Sequence, residues 1–254
     1  MSMGYTDLNA ETIDRWIAEG WEWGIPISHE TFLKAKAGEW SVLLTPTKPV
    51  PKSWFPELRC AHILGLAAGG GQQMPVFAAC GAICTVLDYS LRQIESERLV
   101  AEREGYGIEA VRADMTRPLP FPDECFDLVF HPVSNCYIQK VEPVWRECRR
   151  VLKPGGLLMA GLDNGINYLF EGDEDAPAAV TGYLPFDPLK NPDQMESLRR
   201  DDCGVQFSHG IEEQIGGQLR AGFRLLDVYE DRNGSGYLHE HGVPCFWATL
   251  ARKE

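Results

Sequence analysis

The stretch Cys60–Ser90, CAHILGLAAGGGQQMPVFAACGAICTVLDYS, constrains the fold of this chain more than any other. An apolar run (Ile63, Leu64, Leu66) stops at Gly69, Gly70 and Gly71. A helix-like segment follows, and a second apolar run (Ile83, Val86, Leu87) closes on Asp88. The pattern predicts a strand, a glycine-rich turn, a helix and a second strand with an acidic tip. Glycines let the backbone approach a ligand closely, and a helix N-terminus presents free N–H groups to an anionic group. A carboxylate at the tip of the next strand is placed to accept hydrogen bonds from the two hydroxyls of a ribose. The unit therefore reads as a site for an adenosine-containing cofactor.

The glycine spacing discriminates among such cofactors. The dinucleotide fingerprint needs glycines at its first, third and sixth positions. Counted from Gly69, Gly71 is third but Met74 is sixth; counted from Gly65, Ala67 is third. No register fits. The alternative spacing, a small residue, x, Gly, x, Gly, is that of S-adenosylmethionine sites, and Ala67, Gly69 and Gly71 meet it. A purely structural strand-to-helix turn has the same outline, so the remaining segments decide.

Three of them bear on the question. In Ile108–Phe130 a short strand (Ile108 to Val111) leads to Ala113-Asp114-Met115, a proline-rich loop and a buried strand, Phe126 to Phe130. In Trp145–Met159 an amphipathic helix is stopped by Lys153-Pro154-Gly155-Gly156, after which a new strand begins. Val141, Val144, Trp145, Cys148, Val151 and Leu152 keep helical spacing, so one face of that helix packs on the sheet. Finally Ala221-Gly222-Phe223 opens a strand and Val243–Ala251 forms the last one.

With the glycine turn, Asp88, Asp114, Phe126-Asp127 and Leu152-Lys153-Pro154-Gly155-Gly156 in this order, the chain resembles the class I S-adenosylmethionine-dependent methyltransferases. Within them it is similar to the small-molecule, type 11 branch that includes quinone-biosynthesis enzymes. The likeness covers Leu58 to about Leu162 and, more loosely, Ile211 to the C-terminus. Gly65 stands where that family usually carries an acidic residue, and Ala67 replaces its usual first glycine. The resemblance implies an α/β fold: a Rossmann-like, doubly wound, mostly parallel seven-stranded sheet with helices on both faces and a small lid. It implies S-adenosyl-L-methionine as cofactor and a small-molecule methyl acceptor as substrate.

The same resemblance assigns residues. Backbone at Ala67, Gly69 and Gly71 lies against the methionine portion and ribose. Asp88 accepts the ribose hydroxyls, with Tyr89 and Ser90 beside it. Asp114 accepts from the adenine amino group and Met115 meets the ring. His131, Val133 and Ser134 line the cleft below the sulfonium. Gln72 and Gln73 either hold the cofactor's carboxylate or ribose, or solvate a helix N-terminus. Methyl transfer is an in-line displacement that needs alignment and exclusion of water, and a base only where the acceptor is protonated and a weak nucleophile. The candidate bases are His131, Tyr137 and His209. His131 lies just past a strand's carboxyl end, where open α/β sheets place ligands, and a structural role suits it equally. His209 precedes the helix Ile211–Arg220.

The organisation expected along the chain is an N-terminal cap (1–57), a cofactor-binding core (58–162), a lid insertion (163–210) and the C-terminal part of the core sheet (211–254). The cap is rich in Trp (Trp16, Trp21, Trp23, Trp40, Trp54), which exposed linkers rarely carry. Within it, Ile27–Gly38 is expected to supply a lid helix with Phe32 and Leu33 facing inward and Lys34 and Lys36 outward. The insertion holds the acidic turn Asp173-Glu174-Asp175 and several prolines, Pro177 among them.

At 254 residues and 44% hydrophobic, the chain is long and apolar enough for one domain with an appended lid. A net charge of -13 argues against nucleic acid as a partner. The densest basic cluster, Arg146, Arg149 and Arg150, is expected on the solvent side of its helix. No apolar run reaches the length of a membrane span and no signal peptide opens the sequence, so a cytoplasmic location is expected. Eight cysteines without a C-x-x-C pair predict neither a zinc site nor a redox motif. His239-Glu240-His241 is assigned to a loop between the last two strands rather than to a metal. Two other readings stay open: an S-adenosylmethionine-binding protein methyltransferase or non-catalytic binder, which an open acidic groove would favour, and a nicotinamide-dependent or nucleotide-sugar Rossmann enzyme, which Met74 opposes.

Overall fold

The structure, a computed structural model, describes residues 4–170 and 179–254. Its strands are β1 (His62–Leu66), β2 (Ile83–Asp88), β3 (Ile108–Arg112), β4 (Phe126–His131), β5 (Leu152–Asp163), β6 (Phe223–Asp231) and β7 (Phe246–Lys253). Its helices are α1 (Tyr5–Ala18), α2 (His29–Lys36), α3 (Gln73–Ala79), α4 (Leu91–Glu104), α5 (Glu142–Val151), α6 (Pro192–Asp201), α7 (Ile211–Arg220) and α8 (Gly236–Glu240). The strands form one seven-stranded sheet in the order β3-β2-β1-β4-β5-β7-β6. β1 to β5 run parallel, and β7 lies antiparallel to both β5 and β6. This is the expected doubly wound, mostly parallel sheet. The winding reverses between β1 and β4, and a crevice opens at the carboxyl ends of the strands there.

Strand alternation builds the two faces. Ile63 and Phe130 point into one layer with Met74, Phe77 and Trp54, whereas Leu64 and Val129 point into the other with Trp145, Cys148 and Leu158. The predicted face of α5 is buried throughout, with Val141, Val144, Trp145, Cys148, Val151 and Leu152 at most 1% exposed. Gly65 has a packing reason of its own. A Cβ there would lie 2.8 Å from Met74 Sδ, so the glycine in β1 and the methionine in α3 depend on each other.

The Lys153-Pro154-Gly155-Gly156 segment ends α5 as expected, but the strand begins before it. Phe126 pairs with Leu152 and Leu128 with Leu157, so two steps along β4 face five along β5 and the motif bulges out of register. Gly155 takes the left-handed backbone this requires, at φ 76°. Lys153 Nζ meets both oxygens of Asp127 at 2.8 Å, and Asp127 accepts from His62 N at 2.9 Å. The Phe-Asp and Lys-Pro-Gly-Gly motifs thus lock the starts of β1, β4 and β5 together.

Several expectations are corrected. Arg150 is not a solvated charge: its guanidinium donates to the carbonyls of Leu119 and Phe121 and pairs with Glu147 and Asp123, holding the proline-rich loop to α5. His239 and Glu240 belong to the short helix α8 rather than a loop. The His241 ring stacks on Tyr237 at 4.0 Å. Among the described residues no group of His, Cys, Asp or Glu could hold a metal, and no helix is long and apolar enough to cross a membrane.

α2 is not the lid helix. Phe32 and Ala35, three residues apart on one helical face, are buried, and Phe32 stacks on Tyr106 at 5.7 Å; Leu33 turns outward with the lysines. The helix packs beside α3, away from the crevice. Other N-terminal residues reach it instead: those of α1, Trp21, Trp23 and the run Leu43–Pro46. That run lies so close over β5 that a Cβ on Gly161 would sit 1.9 Å from the Leu44 carbonyl oxygen, which accepts from Val133 N at 3.0 Å. The acidic turn Asp173-Glu174-Asp175 and Pro177 lie outside the described residues.

Candidate active site

The crevice is a cavity of about 320 Å³ at the carboxyl ends of β2, β1, β4 and β5. Ala67, Gly69, Gln72, Gln73, Asp88, Tyr89, Ser90, Asp114, Met115, Val133, Ser134 and Tyr137 line it, of the residues singled out from sequence. Gly71, His131 and His209 do not.

At the β2 end the glycine turn is built around buried acids. Asp88, 9% exposed, accepts from Gly69 N at 3.1 Å and Ser90 N at 3.0 Å. Burial pushes its carboxyl up to about 6, against the pull of those N–H groups. A Cβ on Gly69 would lie 2.6 Å from Gln93 Cβ and 3.0 Å from Asp88 Oδ2, so nothing larger fits between turn and α4. Ala67 takes φ 48° as its N–H reaches Leu87 O at 2.7 Å. Gly71 faces away, donating at 2.8 Å to Glu97 of α4. Gln72 does something neither sequence reading offered. Its side-chain amide donates to the carbonyls of Glu22 and Ile25, tying the N-terminal segment to the turn.

α1 spans the mouth. Its Asp7 accepts from the Tyr89 hydroxyl and its Asp14 from Ser90 Oγ. Asn9 donates to the carbonyls of Tyr137 and Val205 and accepts from Val205 N. Asp114, in the loop after β3, accepts from Thr116 N at 2.8 Å and lines the same cavity.

The three candidate bases fare differently. His131 is wholly buried beneath the floor, its Nδ1 2.8 Å from Leu66 O, its Nε2 2.9 Å from Asn135 Oδ1, its ring edge-on to Trp145. Burial lowers its pKa, against the pull of the two oxygens its ring nitrogens face. His209 is buried too, its Nε2–H shared between the carbonyls of Asn135 and Ile138, pinning the segment before α7 to the loop after β4. Tyr137 reaches the cavity, yet burial raises its phenol well above the ordinary range.

Sequence reasoning missed the β5 end. Asp163 closes β5 and lines the cavity with Cys136, Tyr168, Gln206 and Phe246. It is 9% exposed and accepts from Gly165 N at 2.7 Å and Asn167 Nδ2 at 3.3 Å; burial pushes its carboxyl up to about 6. The signal was present in Leu157-Leu158-Met159-Ala160-Gly161-Leu162-Asp163, an apolar run closing on Asp as β2 does. Among the described residues the lining carries three carboxylates, Asp88, Asp114 and Asp163, and no Lys, Arg or His.

Comparison with known proteins agrees with this geometry. Residues 64–160 match the family model described as a methyltransferase domain. The chain is 39% identical over 242 residues to an uncharacterized methyltransferase, YbaJ, of Bacillus subtilis (strain 168), covering 92% of this chain and 95% of that protein. It is 30% identical over 163 residues to a ubiquinone biosynthesis O-methyltransferase of Chelativorans sp. (strain BNC1), covering 58% of this chain and 62% of the relative. The fold recurs in the crystal structure of an S-adenosylmethionine-dependent methyltransferase from Mesorhizobium loti, with a TM-score of 0.64 at 22% identity over 80% of this chain and 95% of that one. A likeness that runs nearly end to end in both partners of the first pair, on a class I sheet, settles the matter: the chain belongs to the class I S-adenosylmethionine-dependent methyltransferases, and it is an enzyme.

Proposed function

We propose that the enzyme methylates a small, apolar-bodied molecule, with the cofactor at the β2 and β1 end of the cavity and the acceptor at the β4 and β5 end. The observation that carries this is the lining. Two carboxylates, Asp88 and Asp163, stand on strands three positions apart in the sheet. At roughly 4.8 Å per strand that separates them by roughly 14 Å, room for two ligands side by side. Leu43, Pro46, Trp21, Trp23 and Phe246 supply the apolar walls, as small-molecule sites require.

The residues present fit the cofactor. Asp88 offers a buried carboxylate to a diol, Gly69 leaves no Cβ in the way, and Asp114 offers an acceptor to an amino group. Among the described residues, a lining with three carboxylates and no basic side chain suits a ligand that carries a sulfonium cation. Bound there, S-adenosylmethionine supplies an electrophilic methyl carbon whose C–S bond electrons leave with sulfur. The chain's part is to align, to exclude water with α1 and the Leu43–Pro46 run, and to receive a proton where the acceptor carries one. We read the cap (1–57) and the insertion (163–210), which contributes Asp163, Tyr168 and Gln206 to the lining, as the two sides of that cover.

The ubiquinone biosynthesis relative acts, by its name, on a small molecule, which supports the same reading. The test is incubation of a cell extract with methyl-labelled S-adenosylmethionine and the enzyme, followed by dialysis. Enzyme-dependent label is expected in dialysable compounds that chromatography separates from S-adenosylmethionine itself. Label held in polypeptide would replace this reading with a protein methyltransferase.

A further inference from the structure

We propose that Asp163 grips an ammonium group on the methyl acceptor and takes its proton, so that the acceptor is an amine with an aromatic or otherwise apolar body. The proposal deepens the small-molecule reading and rests on it.

Asp163 is nine-tenths buried, lines the acceptor end, and is held there by two neutral donors, the Gly165 N–H and the Asn167 amide. Among the described residues no Lys or Arg lines the cavity with it. Residues 171–178, which complete the insertion, contain no basic residue either. The imidazole that faces it electrostatically, His209, is buried and outside the lining. A buried carboxylate with no basic side chain beside it in the cavity is costly, and a cation there is what a ligand would bring. The walls beside it suit the same partner. Tyr137, Tyr168 and Phe246 share the lining with Asp163, Phe246 as its register partner across β5 and β7, and aromatic rings attract an ammonium as they exclude water from it. An anionic acceptor would meet only repulsion here.

The position also gives Asp163 chemistry. An alkyl ammonium has no lone pair and cannot be methylated until it loses a proton. In the cavity the N–H bond breaks, the proton passes to the Asp163 carboxylate, and the electron pair left on nitrogen becomes the nucleophile. As that pair forms the N–C bond the C–S bond of the sulfonium breaks, its electrons going to sulfur. The acceptor leaves as a methylated ammonium with S-adenosylhomocysteine, and Asp163 returns its proton to water. A carboxyl whose pKa is raised by burial accepts that proton more readily than an exposed one.

The experiment uses the enzyme saturated with S-adenosylhomocysteine and three probes of one shape: 2-phenylethylamine, 2-phenylethanol and phenylacetate, titrated by calorimetry. The amine is expected to bind at least about tenfold tighter than the alcohol, and phenylacetate not to bind. Asp163→Asn should remove the amine's advantage and leave S-adenosylhomocysteine affinity within about twofold. A wild-type enzyme that binds the amine no better than the alcohol, or an Asp163→Asn variant that keeps the preference, overturns the proposal. Should the variant fail to fold, the wild-type comparison decides alone. Failure of S-adenosylhomocysteine to bind wild type would instead refute the cofactor placement on which both readings stand.

Discussion

Replacing Glu97 by Gln should stabilise this enzyme at neutral pH and leave it little changed in mild acid. Glu97 sits on α4 beneath the glycine turn, 0% exposed. One carboxyl oxygen accepts from Gly71 N at 2.8 Å, and the other is buried with no hydrogen-bond partner. Burial pushes the pKa from 4.5 to about 8, with the Gly71 N–H pulling it down and the Asp88 charge adding to the rise. The folded state therefore holds this proton more tightly than the unfolded chain does. Between those two values the unfolded state binds fewer protons, so stability falls as pH rises through the window and is restored below it. At pH 7 the shortfall amounts to about 3 kcal/mol, a large part of a typical domain's total. The Glu97→Gln amide keeps an oxygen for Gly71 and has no charge to desolvate. Urea unfolding of wild type and Glu97→Gln at several pH values from 5 to 8.5 measures the difference. The variant should gain about 3 kcal/mol at pH 7 and progressively less toward pH 5. A stability gap that does not change with pH would refute the argument.

Asp88→Ala should raise the S-adenosylmethionine dissociation constant at least about tenfold in a folded protein, since charge-assisted hydrogen bonds are each worth roughly 1.5–3 kcal/mol; calorimetry reads it. Asp114→Ala should cost more cofactor affinity than Asp114→Asn, whose amide oxygen still accepts, and equal losses would remove Asp114 from the site. Gly161→Ala should destabilise by about 1–3 kcal/mol through overpacking, because its Cβ collides with the Leu44 carbonyl; an unchanged urea midpoint would show that the Leu43–Pro46 run gives way freely.

The Rossmann-like core was legible because its signals are local. Ile63 to Leu66 and Ile83 to Asp88 read as buried strands, and the apolar face of α5 repeats at helical spacing. The local pattern pointed to Asp88 and the glycine turn, and the family resemblance to Asp114; Asp88, Asp114 and Gly69 line one cavity. What stayed hidden depends on distant partners. Nothing near Leu44 in sequence announces that it will cross Gly161, nor that Gln72 will bind the carbonyls of Glu22 and Ile25. α2 misled because Phe32 and Leu33 are adjacent, and adjacent residues on a helix do not share a face; Phe32 and Ala35 do. His131 and His209 are titratable groups close in sequence to the site, yet His131 spends both ring nitrogens and His209 its Nε2 on hydrogen bonds within the protein, and both stay outside the cavity. Asp163 was overlooked although it closes its strand as Asp88 does.

The helix across the mouth has a consequence for turnover. α1 is fastened to Tyr89, Ser90 and Arg92 N at one side and to Tyr137 and Val205 at the other, so a single rod spans both ends of the cavity. A ligand that tightened that rod at one side would prepay part of the ordering at the other, and by linkage any such coupling would be reciprocal. The spent cofactor inherits this grip. S-adenosylhomocysteine and the methylated product would meet the same rod, so release of both would require α1 to give up contacts at its two sides.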